Sequence, residues 1–406
     1  MLRLLRIHPT LAFACLIAMV CLSLAFMYTI RDTRLESMYF ARDSNETIQL
    51  QKYGYERAER RAFVESNPSR RTNIVILSLP RSGSSFLGDV FNHHPQVLYL
   101  FEPLHSLQLN ILESSIFHFD FTRESYKRSA FKFLDDAMSC KFVHGEFASN
   151  IYVNDRYRSF ALTSTEFCSG NATSRVCEDV DPVRLEALCK NNYSVLSLKI
   201  LTPRLPDVQA KGQLLPGCSN PNSECKIIHI VRDPRAVIAS LMFSVHFFAR
   251  PWETRHQLSW YAQKICHQLE SDVTLGKLTV NSRQGSRYRL IRFEDLAKNP
   301  LSQVNELFKF AGIEMTDGVR KWLNEATHSS DISQTNVQQA YLTSRDSKKV
   351  VSGWRSRMES ATVQIIERYC GRVMRQFGYK LIGLSSEKQR NFDISLIDSK
   401  SRYLIP

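Results

Sequence analysis

Ile74-Val75-Ile76-Leu77-Ser78-Leu79-Pro80-Arg81-Ser82-Gly83-Ser84-Ser85-Phe86-Leu87 is the stretch that decides the fold. Its first six residues are apolar but for one serine and lack the polar alternation of a half-exposed strand. Such a run belongs in a parallel sheet whose two faces both carry helices. The serine- and glycine-rich turn then leads into a helix expected to end near Asn92. A loop of this kind at a helix N-terminus offers backbone N–H groups, hydroxyl donors and the positive end of the helix dipole to a phosphate or sulfate. Arg81 adds a permanent charge with a rigid fork of donors, suited to oxygens on which negative charge accumulates. A nucleoside-triphosphate loop reads Gly-x-x-x-x-Gly-Lys-Ser/Thr. Here a single glycine is followed by no lysine, which argues against a kinase or an ATPase.

On either side of this unit the same pattern repeats. Short apolar runs at 74–79, 97–101, 195–200, 227–231 and 288–293 alternate with longer amphipathic stretches, the signature of βαβ units. The expected fold class is α/β: a P-loop-like parallel sheet flanked by helices, over residues 73–380. Val363, Ile366, Tyr369, Cys370, Val373 and Phe377 recur every three or four residues before Gly378, which predicts a closing helix. Residues 381–406 form a C-terminal extension with no readable pattern.

The run 227–231 ends in Arg232-Asp233-Pro234-Arg235-Ala236-Val237-Ile238-Ala239-Ser240. Asp233 suits an N-cap and Pro234 the first helical position, which puts Arg232 at the carboxyl edge of the sheet beside a helix N-terminus. Ser240 follows about two turns later, near the same helix face. An arginine and a serine so placed suit a second phosphate. Arg232 paired only with Asp233 or a neighbour is the alternative.

Leu77-Ser78-Leu79-Pro80-Arg81-Ser82-Gly83-Ser84-Ser85-Phe86-Leu87-Gly88, then Phe91-Asn92-His93-His94-Pro95 and Tyr99-Leu100-Phe101-Glu102-Pro103-Leu104, resembles the carbohydrate 6-O-sulfotransferases that act on galactose, N-acetylglucosamine and N-acetylgalactosamine. The resemblance implies transfer of a sulfuryl group from 3′-phosphoadenosine 5′-phosphosulfate (PAPS) to a sugar hydroxyl, leaving the 3′,5′-bisphosphate. It implies a 5′-phosphosulfate loop at Pro80, Arg81, Ser82, Gly83, Ser84, Ser85 and Phe86, and a 3′-phosphate site at Arg232 and Ser240. Pro80 departs from the tryptophan often found before the loop arginine. Tyr288-Arg289-Leu290-Ile291-Arg292-Phe293-Glu294-Asp295-Leu296-Ala297 and Gly353-Trp354-Arg355 extend the likeness to about residues 73–379. The first of these reads as structural, and Arg355 is a further candidate for the nucleotide. Residues 122–193 are the least recognisable and form the expected acceptor-binding insertion.

A sugar hydroxyl must lose its proton as the sulfur is attacked, so a general base is expected. Glu102 follows the run 97–101, and strand ends in open parallel sheets meet the ligand crevice. The likeness puts this glutamate in a position suited to the acceptor hydroxyl, with Arg81 and Lys199 facing the sulfuryl group. Pro103 is expected to hold residue 102 extended or in a turn. A fixed ion pair of Glu102 with such a cation is the alternative, and His105 is the next candidate base. No metal is expected: the cysteine spacings match no zinc ribbon or finger, and no His-Glu-x-x-His occurs.

The 406 residues are 43% hydrophobic and carry a formal charge of +13, which describes a folded protein with acidic partners. With the motifs above, the expected partner is a glycan acceptor on a glycoprotein, proteoglycan or glycolipid and not a nucleic acid; a homo-oligomer is left open. Ile7 to Ile30 lacks any Asp, Glu, Lys or Arg. As a helix it would measure about 36 Å, enough to cross a hydrocarbon core of about 30 Å, and it exceeds the apolar region of a cleaved signal peptide. The expected layout is a cytoplasmic tail (1–6), a transmembrane signal-anchor helix (7–30), a polar stem (31–72) and a lumenal body, that is, a single-pass type II Golgi membrane protein. Glycosylation sequons at Asn45, Asn171 and Asn192 and eight cysteines beyond the span fit a lumen that permits disulfides, whose pairing is not readable from sequence. Two rivals remain. A Golgi glycosyltransferase would hold manganese and a nucleotide sugar on Asp179-Val180-Asp181, and a non-catalytic glycan-binding protein would reuse the same fold.

Overall fold

The computed structural model describes residues 71–112, 124–143, 156, 158–170, 176–205, 218, 223–242, 255–280, 287–328 and 347–398. The expected tail, anchor and stem up to residue 70, and the sequons at Asn45 and Asn171, lie outside the described residues. Among the described residues no helix is long and apolar enough to cross a membrane. The chain divides into two units, Met1–Gly54 with Ser169–Val176 and Tyr55–Cys168 with Cys177–Pro406. Of the first, only Ser169, Gly170 and Val176 are described. The elements that follow belong to the second.

Five strands form one sheet: β1 (Arg71–Ser78), β2 (Val97–Phe101), β3 (Val195–Leu201), β4 (Ser223–Val231) and β5 (Tyr288–Arg292). Their order is β2-β3-β1-β4-β5, and every pair is parallel. Each apolar run expected to be a strand is one. The helices are α1 (Ser84–Asn92), α2 (His105–Leu112), α3 (Glu124–Met138), α4 (Pro182–Asn192), α5 (Pro234–Met242), α6 (Arg255–Val280), α7 (Phe293–Lys298), α8 (Pro300–Ala311), α9 (Asp317–His328), α10 (Ser347–Ser352), α11 (Trp354–Arg357), α12 (Ser360–Gln376) and α13 (Ser386–Arg390).

Register explains the continuous runs. Leu77 lies opposite Ile200 and His229, and neighbours across parallel strands share a face. That face, with Val75, Leu198, Ile227 and Leu290, packs in one core with Tyr126 and Leu134 of α3, Ile265 and Leu269 of α6, and Val363 and Val373 of α12. The other face meets α1. A Cβ at Gly88 would fall 2.0 Å from the Tyr99 hydroxyl of β2, so glycine sets how closely helix and strand approach. Phe91 of α1 then packs on Phe308 of α8, ring centroids 5.3 Å apart.

The closing helix is α12, with Val363, Ile366, Cys370 and Val373 buried, and Gly378 at φ 74° ends it as the pattern predicts. Tyr369 leaves the expected buried stripe and is exposed. The eight cysteines beyond residue 30 form four disulfides, Cys140–Cys189, Cys168–Cys177, Cys218–Cys225 and Cys266–Cys370, the last tying α6 to α12.

Candidate active site

The donor loop forms as β1 gives way to α1. Arg81 (φ 65°) and Gly83 (φ 89°) both take the left-handed backbone. At Gly83 nothing else fits: a Cβ there would lie 2.2 Å from the Phe293 ring, which wedges under the loop from α7. Gly83 caps α1 without a side chain, so the first-turn N–H groups have no side-chain acceptor. Ser84 is buried at the helix start, Ser85 is half-buried, Pro80 is buried in the turn, and Phe86 stacks on Trp322 at 5.9 Å.

The second predicted element arrives at the same place. Arg81 Nε donates to Ser240 Oγ at 2.9 Å, and Arg232 Nη1 donates to the Arg81 carbonyl at 2.9 Å. Arg232 Nη2 donates to the Val350 carbonyl at 2.9 Å, and the guanidinium lies 4.8 Å from the centre of the Phe293 ring. The alternative pairing of Arg232 with Asp233 is not made. Asp233 gives its carboxylate to Arg235, at 2.7 Å to Nη2, and caps α5 by accepting from the Arg235 N–H at 2.9 Å. Glu367 holds the other side of the buried Arg235 at 2.8 Å. Burial pulls the Arg232 pKa down, with the Glu294 and Asp233 carboxylates opposing it.

Three buried polar atoms here have no partner among the described residues: Ser78 Oγ, Ser82 Oγ and Arg232 Nε. A buried unsatisfied donor costs about 1–3 kcal/mol. Hydroxyls and a guanidinium N–H beside a helix N-terminus are the donors that phosphate and sulfate oxygens need, so this chain's residues fit a donor with two anionic ends.

A charged cluster closes the adjoining strand ends. Glu102 follows β2 at φ 42°, so of the two settings expected before Pro103, extended or turn, it is not the extended one; a left-handed conformation costs on the order of 1–3 kcal/mol. Its carboxylate accepts from Lys199 Nζ of β3 and from Arg204 Nη1. Lys199 is 2% exposed, and its ammonium sits 4.1 Å from the centre of the Phe101 ring. Arg204 ends the 3₁₀ turn Thr202–Arg204; its Nε donates to Gln108 Oε1 at 2.6 Å, and its carbonyl accepts from the Tyr126 hydroxyl at 2.8 Å. Burial alone would raise the Glu102 carboxyl, but the charges of Lys199, Arg204 and His105 outweigh it and hold the group well below the usual carboxylate range. The ion pair left open by the sequence is thus formed. A carboxylate so held is a weak base until one of its cations is drawn away.

Arg204 is missing from the sequence-based set. Its signal was the rule that selected Glu102: a charged residue just past the carboxyl end of a parallel strand. Arg355 is not brought to the site. Its Nε donates to the Gln389 carbonyl at 2.9 Å, Nη1 to Ile394 at 3.1 Å and Nη2 to Lys388 at 3.0 Å, so it ties down the C-terminal extension. Asp181 of the Asp-x-Asp pair is the N-cap of α4, accepting from the Val183 N–H at 2.9 Å, with Arg184 at 3.5 Å.

Comparisons with known proteins follow the same outline. Residues 71–378 match the sulfotransferase domain family. Carbohydrate sulfotransferase 1 of Danio rerio is 28% identical over 375 residues, covering 84% of this chain and 85% of that protein. Carbohydrate sulfotransferase 5 of Homo sapiens is 27% identical over 345 residues, covering 80% and 82%. Among solved structures, the sulfotransferase domain from the curacin biosynthetic pathway is 15% identical with a TM-score of 0.42, covering 77% of this chain and all of that one.

Proposed function

The chain belongs to the sulfotransferase family, and from that premise we propose that it moves a sulfuryl group from PAPS to a sugar hydroxyl, the 6-hydroxyl of N-acetylglucosamine, galactose or N-acetylgalactosamine, as a type II enzyme of the Golgi membrane. The observation that carries the donor assignment is the junction of the two elements: Arg232 on the Arg81 carbonyl and Arg81 on Ser240, beside orphaned Ser82 and Arg232 donors. The loop from Ser82 to Ser85 and the first turn of α1 would hold the 5′-phosphosulfate. Arg232 and Ser240 would hold the 3′-phosphate. PAPS supplies an activated sulfuryl group. The relatives' names support a carbohydrate acceptor.

Lys199 and Arg81 would be the cations that face the sulfuryl oxygens, where fixed charge stabilises a developing negative centre. When Lys199 turns to that group, Glu102 keeps Arg204 but loses one of its two cations, and its basicity rises. The acceptor oxygen then bonds to sulfur as the bond from sulfur to the 5′-phosphate oxygen breaks, and Glu102 takes the hydroxyl proton. Basicity is in this way coupled to donor binding.

The test is calorimetry in EDTA with the 3′,5′-bisphosphate and the 5′-monophosphate, followed by labelled PAPS on an array of defined glycans. The wild type should bind the bisphosphate, and Arg232→Ala should lose at least tenfold in discrimination for the 3′-phosphate. An unchanged Arg232→Ala variant would sink the donor assignment, and manganese-dependent binding of a nucleotide sugar would favour the glycosyltransferase instead.

A further inference from the structure

The stretch from Tyr288 to Ala297, which reads as structural in the sequence, puts a buried charge beside the nucleotide site that the transfer step above does not use. Glu294 lies in the first turn of α7 and is 4% exposed. Its Oε1 accepts from the Asp233 N–H at 3.0 Å, on the peptide that follows Arg232, and its Oε2 accepts from the Tyr379 hydroxyl at 2.7 Å.

Both donors are neutral, which separates Glu294 from the carboxylates around it. Asp233 is held by Arg235 at 2.7 Å, Glu367 holds the same arginine at 2.8 Å, and Asp295 accepts from Arg292 at 2.7 Å. Each of these three has a cation in direct contact. Glu294 has instead the charge of Arg232 acting on it without a hydrogen bond, while burial and the charge of Asp233 push its carboxyl up. Of the carboxylates that act on Arg232, Glu294 acts most strongly. Arg232 in turn spends its bonds on the carbonyls of Arg81 and Val350, at 2.9 Å each. The two charges thus face each other across neutral dipoles, and each keeps most of its field.

A phosphate drawn to Arg232 brings a like charge toward Glu294. Its attraction to the arginine is offset by repulsion from the carboxylate, and between buried groups salt screens little of either. The two hydrogen bonds do not themselves need a charge: a glutamine oxygen accepts from an N–H, and its amide nitrogen donates to a tyrosine oxygen. Charge at this position therefore bears on the anion, beyond the scaffold.

We propose that Glu294 is the counter-charge that the 3′-phosphate replaces as the partner of Arg232, and that it weakens the hold on the bisphosphate so that the spent nucleotide leaves. The inference rests on the sulfotransferase reading above. Glu294 acts through Arg232 and touches no reacting atom. Sulfuryl transfer leaves the 3′-phosphate unchanged, so this end grips donor and product alike, and grip beyond what binding requires slows release.

The experiment compares the full chain with Glu294→Gln, by calorimetry with the 3′,5′-bisphosphate and the 5′-monophosphate and by steady-state kinetics with PAPS. The variant should bind the bisphosphate about tenfold more tightly and the monophosphate as the wild type does. Its KM for PAPS should fall, and its kcat should not rise. A residue that only braces the fold would do the reverse, raising KM and loosening both ligands. Tyr379→Phe removes one of the two donors that keep Glu294 ionised and should shift bisphosphate affinity the same way by less, which decides the matter should Glu294→Gln not fold. Unchanged or weaker bisphosphate binding in the folded variants, or equal tightening of both nucleotides, overturns the counter-charge and leaves the sulfotransferase reading standing. Wild-type protein that binds neither nucleotide overturns both.

Discussion

Glu102 meets two cations on a backbone that no glycine relieves, and its chemistry depends on which cation it keeps. Above its ordinary value of 4.5 the ion pairs stabilise the fold, and that contribution is lost as pH falls below it, because the folded form holds the carboxyl ionised. Replacing it by glutamine removes basicity and also leaves Lys199 and Arg204 buried without their carboxylate, a change that typically costs about 3–5 kcal/mol. Stability therefore cannot separate base from ion pair, but the pH profile can. The kcat/KM limb reports the free enzyme and the kcat limb the complex. If donor binding draws Lys199 away, the acidic limb of kcat should lie at clearly higher pH than that of kcat/KM, and Glu102→Gln should lower turnover by about 10² to 10⁴. Coincident limbs, or near-normal turnover in folded Glu102→Gln, would transfer the role to His105.

At the scale of elements, α6 carries another buried carboxyl, beside the turn Thr202–Arg204. Asp272 accepts from Gln268 at 2.8 Å, and burial pushes it up to about 7 from 3.8. Across the same face His229 Nδ1 lies 2.6 Å from the Tyr288 hydroxyl, and burial lowers this histidine from 6.5 to about 4. The raised carboxyl makes folded protein bind a proton that the unfolded chain releases, so its contribution falls as pH rises from about 4 to 7. The histidine works in the opposite direction, its contribution rising between about 4 and 6.5, and the two nearly cancel there. Asp272→Asn removes only the first. Its stability relative to wild type should climb from pH 4 to 7 and level off at no more than about 4 kcal/mol, three units at about 1.4 kcal/mol each. Urea denaturation at four pH values checks this, and a difference independent of pH would show that Asp272 does not titrate. These elements also mark what the sequence revealed. β2 was legible to the residue because a strand buried on both faces is apolar throughout. The starts of β1 and β4 were not, since the polar Arg71, Thr72, Ser223 and Glu224 are strand through pairing that the sequence does not show, Arg71 with Ser223 and Thr72 with both Glu224 and Val195. Arg204 stayed hidden because its meeting with Glu102 depends on register. Arg355 misled for the converse reason: its partners are carbonyls of a segment with no pattern to read.

For the molecule as a whole, compartment and covalent chemistry have to agree. Four disulfides close loops of very different length, and Cys266–Cys370 spans 104 residues between α6 and α12. Constraint of the unfolded chain by a loop of that size is worth about 5 kcal/mol in the entropy picture, while measured losses run nearer 2–5 kcal/mol. Disulfides of this kind agree with the proposed lumenal body, since a lumen lets thiols oxidise. Asn192 is exposed at the end of α4, where a glycan would meet no packed surface. Both features are compatible with the lumenal body proposed above, and together they set the last expectation. Full-length chain made in sealed microsomes should gain glycans that endoglycosidase removes, and Asn192→Gln should lose one step of that mobility shift. Cysteines of the folded domain should resist alkylation until reduced. The pair Cys266→Ser and Cys370→Ser should lower stability by about 2–5 kcal/mol in denaturant without changing bisphosphate affinity at saturating folding conditions. A chain that stays unglycosylated, exposes its thiols to alkylation, and is digested by protease added outside the vesicles has its body in the cytosol, and the lumenal assignment then falls.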